Sequence, residues 1–231
     1  MTTTRTRFVT AALLLPLALG AGACSHGSTK TDPSVVLKAA KKHLDETTGL
    51  HLTLDTPQLP PGTNGLLHAE GDATHDPAFK GSIKVAASGV TADAKVIAAE
   101  GAVYAVLPFT TKYVQIRPAD YGAPDPAKLM DTESGLSALL TKGHDITAGK
   151  QQRDGSQVLS TYTATVPGSV VAQVLPSADA SKPFDATFTI TDTNRLHEAV
   201  LTGPFYGAKA GNVTYTIDFT DYGSTPSISA P

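Results

Sequence analysis

Apolar and polar side chains tend to alternate along several short segments of this chain. In residues 81–88, Ile83 and Val85 fall on one side of the segment, whereas Ser82 and Lys84 fall on the other. The same alternation recurs in residues 91–99, 157–166 and 213–220. Because successive side chains of a β-strand point to opposite faces, each segment predicts a strand with one apolar and one polar face. Such strands form a sheet that other elements cover on one side only.

Further strand-like segments are bounded by Gly, Pro, Asn or Asp and follow one another closely. They comprise residues 50–56, 66–74, 102–107, 113–117, 184–191 and 196–201. Their spacing is typical of an antiparallel meander and differs from a regular alternation of strands with helices. The sequence therefore predicts an α+β fold built on one large antiparallel sheet.

One amphipathic helix is predicted over residues 33–48. Asp32 is a typical N-cap, Pro33 suits the first helical position, and Gly49 suits the position that ends a helix. The apolar stripe of this helix consists of Leu37, Ala40 and Leu44. A stripe of this kind needs an apolar partner, which the sheet can supply.

Two later segments predict further cover for the sheet. Residues 125–143 carry apolar side chains in helical spacing, but the interior Gly135 divides them into two short helical pieces. Residues 167–175 predict a brief helix. Together with the first helix, these pieces would lie against the apolar face.

The N-terminus has the pattern of a secretory signal peptide. Arg5 and Arg7 precede an apolar run over residues 8–19, and small residues lead to Cys24. The run is too short for a membrane span, which needs roughly 20 apolar residues. Export therefore follows from the sequence.

Cys24 is the only cysteine of the chain, so it has no partner for an internal disulfide. Small residues directly before a cysteine resemble a bacterial lipobox, in which the thiol is acylated and becomes the mature N-terminus. The alternative is an ordinary secretory signal with an incidental cysteine. We predict a signal peptide over residues 1–23, a tether over residues 24–31 and one domain over residues 32–231. The protein would be anchored by lipid to the outer face of the cytoplasmic membrane.

The charge balance excludes nucleic acid as a partner. The predicted mature chain has 16 basic and 21 acidic side chains, a net charge of −5. This balance is not that of a basic protein that binds nucleic acid or an anionic membrane surface. Attachment to the membrane must then come from the lipid on Cys24.

No motif for catalysis or for a cofactor is found in the sequence. It contains no Gly-x-Ser-x-Gly, no His-Glu-x-x-His and no phosphate-binding loop. One cluster deserves comparison with a metal site, namely His68, Glu70, Asp72 and His75. Because it lies on the polar face of a predicted strand, we interpret it as solvated. We therefore expect no metal, no cofactor and no enzymatic activity.

Several segments, in the same order, resemble the LppX/LprA/LprF/LprG lipoproteins of mycobacteria and their relatives. The resemblance is carried by the lipobox and by AAEGAVYAVL, YGAPDPAKLMDTESGLSALL, RDGSQVLSTYTATVPGSVV, FDATFTI and NVTYTIDFTDYGSTPSISAP. It spans nearly the entire mature chain. Family members commonly carry Trp at the position of Tyr222 and within residues 187–190, so the resemblance assigns no subfamily.

The resemblance implies a curved antiparallel half-barrel whose helices pack on the concave face around an apolar cavity. It also implies that the protein binds acylated lipids or glycolipids there and helps to move them across the cell envelope. A membrane lipid transporter is a further partner of this kind of protein. Residues 57–65 and 176–183 are candidate gates at the mouth, although plain surface turns explain them equally well.

The predicted cavity wall combines the apolar faces of the strands with the covering helices. It comprises Ile83, Val85, Ala87, Ala94, Val96, Leu129, Leu136, Leu140, Tyr162, Ala164, Phe188, Tyr215 and Ile217. Alternation alone favours a packed core for these residues, and only the resemblance favours a cavity. Ile83 matches a pocket-wall position of the family.

Three functions remain open at this point. The first is a lipid or glycolipid carrier, and the second is an accessory or sensor lipoprotein that docks on a membrane partner without carrying lipid. The third, a lipid hydrolase, lacks a nucleophile constellation.

Overall fold

The alternating segments form one antiparallel sheet in the computed structural model, which describes residue 2 and residues 31–231 apart from 88, 109, 122 and the side chain of Tyr121. In this part of the chain the sheet has eleven strands. They are β1 (Gly49–Asp55), β2 (Gly65–Thr74), β3 (Ala78–Ala87), β4 (Val90–Ala99), β5 (Ala102–Val106), β6 (Val114–Ile116), β7 (His144–Asp154), β8 (Gln157–Pro167), β9 (Pro183–Thr191), β10 (Leu196–Gly203) and β11 (Val213–Thr220).

The strand order joins two meanders through the first and last strands. The order is β6-β5-β4-β3-β2-β1-β11-β10-β9-β8-β7, and every pair is antiparallel. Because β6 and β7 are the edges, the sheet is not closed. Pairing between β1 and β11 makes the core depend on both halves of the chain.

Register shifts bend several of these strands. They occur between Leu66 and His68 in β2, between Leu196 and Glu198 in β10, and twice in β7. Each shift inserts a residue that lacks a partner, which bends the strand and increases its twist. The result is the curved half-barrel that the resemblance implied.

Helix α1 (Pro33–Glu46) confirms the predicted N-terminus but ends two residues before the predicted end. Asp32 Oδ1 accepts a hydrogen bond of 2.9 Å from the Ser34 amide, and the predicted stripe is buried. Gly49 is the first residue of β1 instead of a helix cap. A Cβ there would lie 2.8 Å from the carbonyl oxygen of Ser224, so close backbone approach explains the glycine.

The remaining cover is short and mostly 3-10 helical. Residues 125–143 form two pieces as predicted, Pro126–Lys128 and Leu136–Leu140, and α2 spans Gly168–Val174. Further 3-10 turns are Pro118–Tyr121 and Ala208–Ala210. The Leu136–Leu140 turn packs between α1 and α2, which in turn contact β7–β10, whereas Pro126–Lys128 packs on β2–β4.

Lys41 ties α1 to the covering segment. Its Nζ lies 2.6 Å from Asp45 Oδ2, 2.7 Å from the carbonyl oxygen of Thr132 and 3.2 Å from Ser137 Oγ. The Lys41 ammonium group therefore bonds beyond its own helix, to a segment 91 residues away in sequence. The helix and the 3-10 turns therefore form one layer over the concave face.

Strand β7 was not predicted. Nearly all of its side chains are exposed, on both faces, so the segment lacks the alternation that marks the other strands. It pairs only with β8, and Lys150 and Arg153 place charge on this edge. Charged side chains and bulges are common on edge strands because they oppose pairing with other chains.

Candidate functional site

Most predicted wall residues lie together on the concave face. Seven belong to one buried cluster, namely Val96, Leu136, Leu140, Ala164, Phe188, Tyr215 and Ile217. Three more, Ile83, Leu129 and Tyr162, are partly buried against that cluster. Ala94 is buried as well, Val85 is partly exposed and Ala87 is exposed. Their role in ligand binding remains a prediction.

The part of this face beneath α1 and α2 is solidly packed. Phe188 is 0% exposed and Tyr215 is 1% exposed, so no water-sized space touches these side chains. Phe205 meets both Phe184 and Tyr215 edge to face, with ring centroids 4.8 Å apart in each pair. A cavity in this region would require these packed rings to separate.

The part of the face formed by β3 and β4 is only partly covered. Along β4, exposure rises from 4% at Val96 and 9% at Ala94 to 66% at Val90. In β3, Ile83 and Val85 are partly exposed, whereas Ala87 is exposed. The apolar surface therefore continues from the core to the open end of these strands.

Strand β6 extends this uncovered surface. Val114 pairs with Ala105, whose partner on β4 is Val96, so all three residues face the concave side. Val114 is 40% exposed, although it lies beside buried Ala105. Residues 113–117 are a strand by sequence, but nothing in the sequence identifies Val114 or Ile116 as site residues, because the strand is too short to show alternation.

A pocket of about 420 Å³ opens next to Ile116. Its apolar wall includes Val103 of β5, Ile116 of β6, Leu129, Val174 of α2 and Pro176. Of the predicted wall residues, only Leu129 lines it. Strands β5 and β6 lie at one edge of the strand order, whereas α2 packs on β8 and β9 near the other edge. The pocket therefore lies between parts of the sheet that are far apart in strand order and that only curvature brings together. Its volume falls within the roughly 300–1,000 Å³ of small-molecule sites.

Polar residues also line this pocket, and we call them its polar rim. They are Gln115, Arg117, Asp125, Lys128 and Gln173. Arg117 Nε lies 3.0 Å from Asp120 Oδ2, and Asp125 Oδ1 accepts a 3.1 Å hydrogen bond from the Ala127 amide. A lining that combines apolar and polar side chains suits an amphiphilic molecule.

The histidines and carboxylates of β1 and β2 form separate pairs on the convex face. His51 Nδ1 lies 2.8 Å from Asp72 Oδ1, and His68 Nδ1 lies 2.7 Å from Asp55 Oδ1. Glu70 Oε2 lies 3.8 Å from the second nitrogen of His68. Cross-strand pairing thus separates Asp72 from His68. Within the described residues, no group of three or more such side chains could hold a metal ion.

Burial perturbs two tyrosines on the concave side. Desolvation, together with a hydrogen bond to Tyr206, raises the pKa of the Tyr215 hydroxyl above its usual value. Desolvation likewise raises the pKa of Tyr222, although the charge of Arg195 opposes the shift. Both hydroxyls therefore stay protonated and donate hydrogen bonds, Tyr215 to the Leu66 carbonyl and Tyr222 to the Leu196 carbonyl.

In the part of the chain that the structure describes, no helix is both long and apolar enough to cross a bilayer. Apart from residue 2, the predicted signal peptide lies outside the described residues, as do Cys24 and tether residues 25–30.

The fold and its partly open apolar face define a half-barrel lipoprotein domain. The chain belongs to the LppX_LprAFG lipoprotein family, whose model matches residues 32–225. This match confirms the resemblance carried by the sequence segments. The predicted domain boundaries themselves remain a prediction.

Similar proteins come from mycobacteria. The lipoarabinomannan carrier proteins LprG of Mycobacterium tuberculosis and Mycobacterium bovis are 27% identical over 191 residues, which cover 80% of this chain and 79% of theirs. The crystal structure of LprF from Mycobacterium bovis has a TM-score of 0.69 at 16% identity, over 86% of this chain and 96% of that one. The structure of LppX from Mycobacterium tuberculosis has a TM-score of 0.61 at 14% identity, over 85% and 98%. These structures confirm the predicted fold.

Proposed function

We propose that this protein carries acylated lipids or glycolipids across the cell envelope, holding them non-covalently on its concave face. It would be exported, lose residues 1–23 and remain tethered to the outer face of the cytoplasmic membrane through acylated Cys24. Family membership and the name of the LprG relatives support this function. The chemistry of carriage needs no catalytic group.

The observation that carries the proposal is the uncovered apolar surface of β3, β4 and β6. Apolar side chains that face a core are normally covered, yet Val85, Ala87 and Val114 are not. A bound acyl chain would cover these side chains. Exposing one methylene to water costs about 0.8 kcal/mol, so a sixteen-carbon chain would cost on the order of 13 kcal/mol outside a carrier.

A route for the ligand follows from the geometry. One acyl chain would lie along Ile83 and Val85, and Leu129 would connect this surface to the 420 Å³ pocket. The polar rim of that pocket would hold the head group in contact with water. Pro176, which belongs to one of the two candidate gates, lines the pocket. The packed residues around Phe188 would line additional space only after the core opens.

Substituting Ile83→Trp tests the proposal. The indole would occupy the space of the acyl chain, and excluding two methylenes costs about 1.6 kcal/mol, or roughly tenfold in affinity. We expect the purified mature chain with Cys24→Ser to contain stoichiometric acyl lipid by mass spectrometry, and Ile83→Trp, equilibrated with limiting lipid and an equal amount of wild type, to hold roughly a tenth as much.

Lys84→Trp is the matched control. Lys84 lies next to Ile83 on the same strand, but its side chain is exposed on the convex face. Its ion pair with Asp93 spans 3.8 Å at the surface and contributes little to stability. Equal lipid content in the two Trp variants would refute the proposal that lipid binds on the concave face.

The second candidate is an accessory lipoprotein that docks on a membrane partner. The solid packing around Phe188 and Tyr215 favours it, because a packed domain has less room for a ligand. Wild-type protein that is free of lipid, and takes up none from detergent micelles, would support this candidate and exclude carriage. A membrane transporter would then be the partner to seek by crosslinking.

A further inference from the structure

The two ends of the first meander differ in charge. The β1–β2, β3–β4 and β5–β6 connections lie at one end because these strands run antiparallel in sequence order. Residues 56–64 and 85–92, which contain the first two of these connections, include no Asp, Glu, Lys, Arg or His, and the third connection, residues 107–113, carries one charged residue, Lys112. The β2–β3 and β4–β5 connections at the opposite end of this meander carry His75, Asp76 and Glu100. We call the described residues of 56–64 and 85–92 the uncharged end.

Apolar side chains project from the uncharged end. Val90 is 66% exposed, the highest value among the large hydrophobic residues described, and Ala87 beside it is also exposed. The Lys84–Asp93 ion pair, with 3.8 Å between Nζ and Oδ1, marks where charge begins on the same hairpin. Exposed apolar groups without neighbouring charge are typical of surfaces that enter a non-aqueous environment.

We propose that the uncharged end docks on the surface of a lipid bilayer while the protein takes up or releases its ligand. The proposal rests on the proposed function, because it explains how a lipid reaches the concave face. The uncovered surface of β3 and β4 opens at this end, so the end joins the bilayer to the binding surface. A lipid that passed there would keep its acyl chains out of water throughout.

Two further observations favour a bilayer as the occupant. The predicted mature chain has a net charge of −5, so attraction to anionic partners does not explain contact, whereas apolar insertion does. The predicted tether of eight residues spans at most roughly 28 Å at 3.3–3.6 Å per residue, which holds the domain beside the membrane. Contact of this kind should be insensitive to salt, because screening weakens only charged interactions.

Val90→Asp tests the docking surface, and Val35→Asp is its matched control. Both valines are exposed, at 66% and 54%, but Val35 lies on α1. The mature chain with Cys24→Ser is sedimented with phosphatidylcholine vesicles at low and high salt. We expect wild type and Val35→Asp to bind, and Val90→Asp to bind about tenfold more weakly, since the apolar contact of one valine side chain is lost. Equal binding by the two Asp variants would overturn the proposal.

Lipid uptake separates docking from binding. Val90→Asp should load lipid from detergent micelles as wild type does, but load about tenfold more slowly from vesicles. If neither source loads any variant while vesicle binding still depends on Val90, the carrier function fails and docking stands. If wild type instead dimerises by light scattering and Val90→Asp abolishes the dimer without changing vesicle binding, a second copy covers this end and the bilayer proposal is wrong.

Discussion

Tyr215 shows at the scale of one residue how distant segments are joined. Its hydroxyl donates a 2.7 Å hydrogen bond to the carbonyl of Leu66 and lies 2.6 Å from the hydroxyl of Tyr206. Alternation placed Tyr215 on the concave face correctly. It could not reveal the partner, because Leu66 is 149 residues away and meets Tyr215 only when β1 aligns the two strands.

Removing this hydroxyl should destabilise the domain. In Tyr215→Phe, the partly buried Leu66 carbonyl and the Tyr206 hydroxyl both lose a partner, which typically costs about 1–3 kcal/mol. Tyr206→Phe should cost less, because the Tyr215 hydroxyl keeps the Leu66 carbonyl. Urea unfolding of the two variants measures the difference, and equal losses would contradict this account of the network.

At the scale of the element, two opposed glycines allow β2 and β3 to approach each other beneath an aromatic ring. Gly71 pairs directly with Gly81, and a Cβ on either residue would lie within 3 Å of Phe79 Cζ. Phe79 is itself buried in the core. Glycine in a strand interior often marks such close approaches. The sequence shows the glycines, but only the register shows that they face each other.

Gly81→Val should therefore lower the free energy of unfolding. The added side chain would displace the Phe79 ring, and overpacking of this kind costs about 1–3 kcal/mol. Ser82→Ala is the control, since Ser82 is partly exposed on the other face and its 3.3 Å contact with Glu70 is weak. A thermal unfolding midpoint for Gly81→Val equal to that of the control would show that the ring is not held by the glycine pair.

The sequence predicts the positions of some strands and helices better than those of others. Strands with one buried face can be recognised in the sequence by their alternation, and α1 can be recognised by its N-cap and its apolar stripe. Strand β7 was missed because its side chains are polar on both sides, so only pairing with β8 makes it a strand. The short 3-10 turns over residues 118–140 have too few residues for a period to develop, although Gly135 correctly indicated a break.

At the scale of the whole molecule, the predicted acylation site and the proposed lipid-binding surface lie in different parts of the chain. Residues 32–225 match the family model, whereas the predicted acylation site lies upstream of the domain. The described residues provide an apolar face and an uncharged end, but the predicted lipid on Cys24 would provide the lasting anchor. Stable anchoring requires more than one apolar chain or signal.

Cys24→Ser should therefore release the protein from the membrane without unfolding it. Expressed in a bacterium that acylates lipoproteins, the wild type should sediment with membranes, and a much larger share of the variant should appear in the soluble exported fraction, because Ser cannot accept the thioether-linked lipid and the proposed docking contact alone is reversible. Quantitative blotting of both fractions measures the change. A variant that stays entirely with the membrane would show that another segment anchors the chain.

The sequence by itself determined the fold class, the family and the apolar face of most strands, because alternation and caps are local patterns that survive without tertiary contacts. It also indicated the export signal and the candidate acylation site. Only the tertiary structure decided which apolar side chains are packed and which are left open. Phe188 and Val85 look alike in sequence, as apolar residues of predicted strands, but Phe188 is buried beneath the helices and Val85 is partly exposed beyond them. That difference depends on how far the covering layer extends over a curved sheet, which no local pattern encodes.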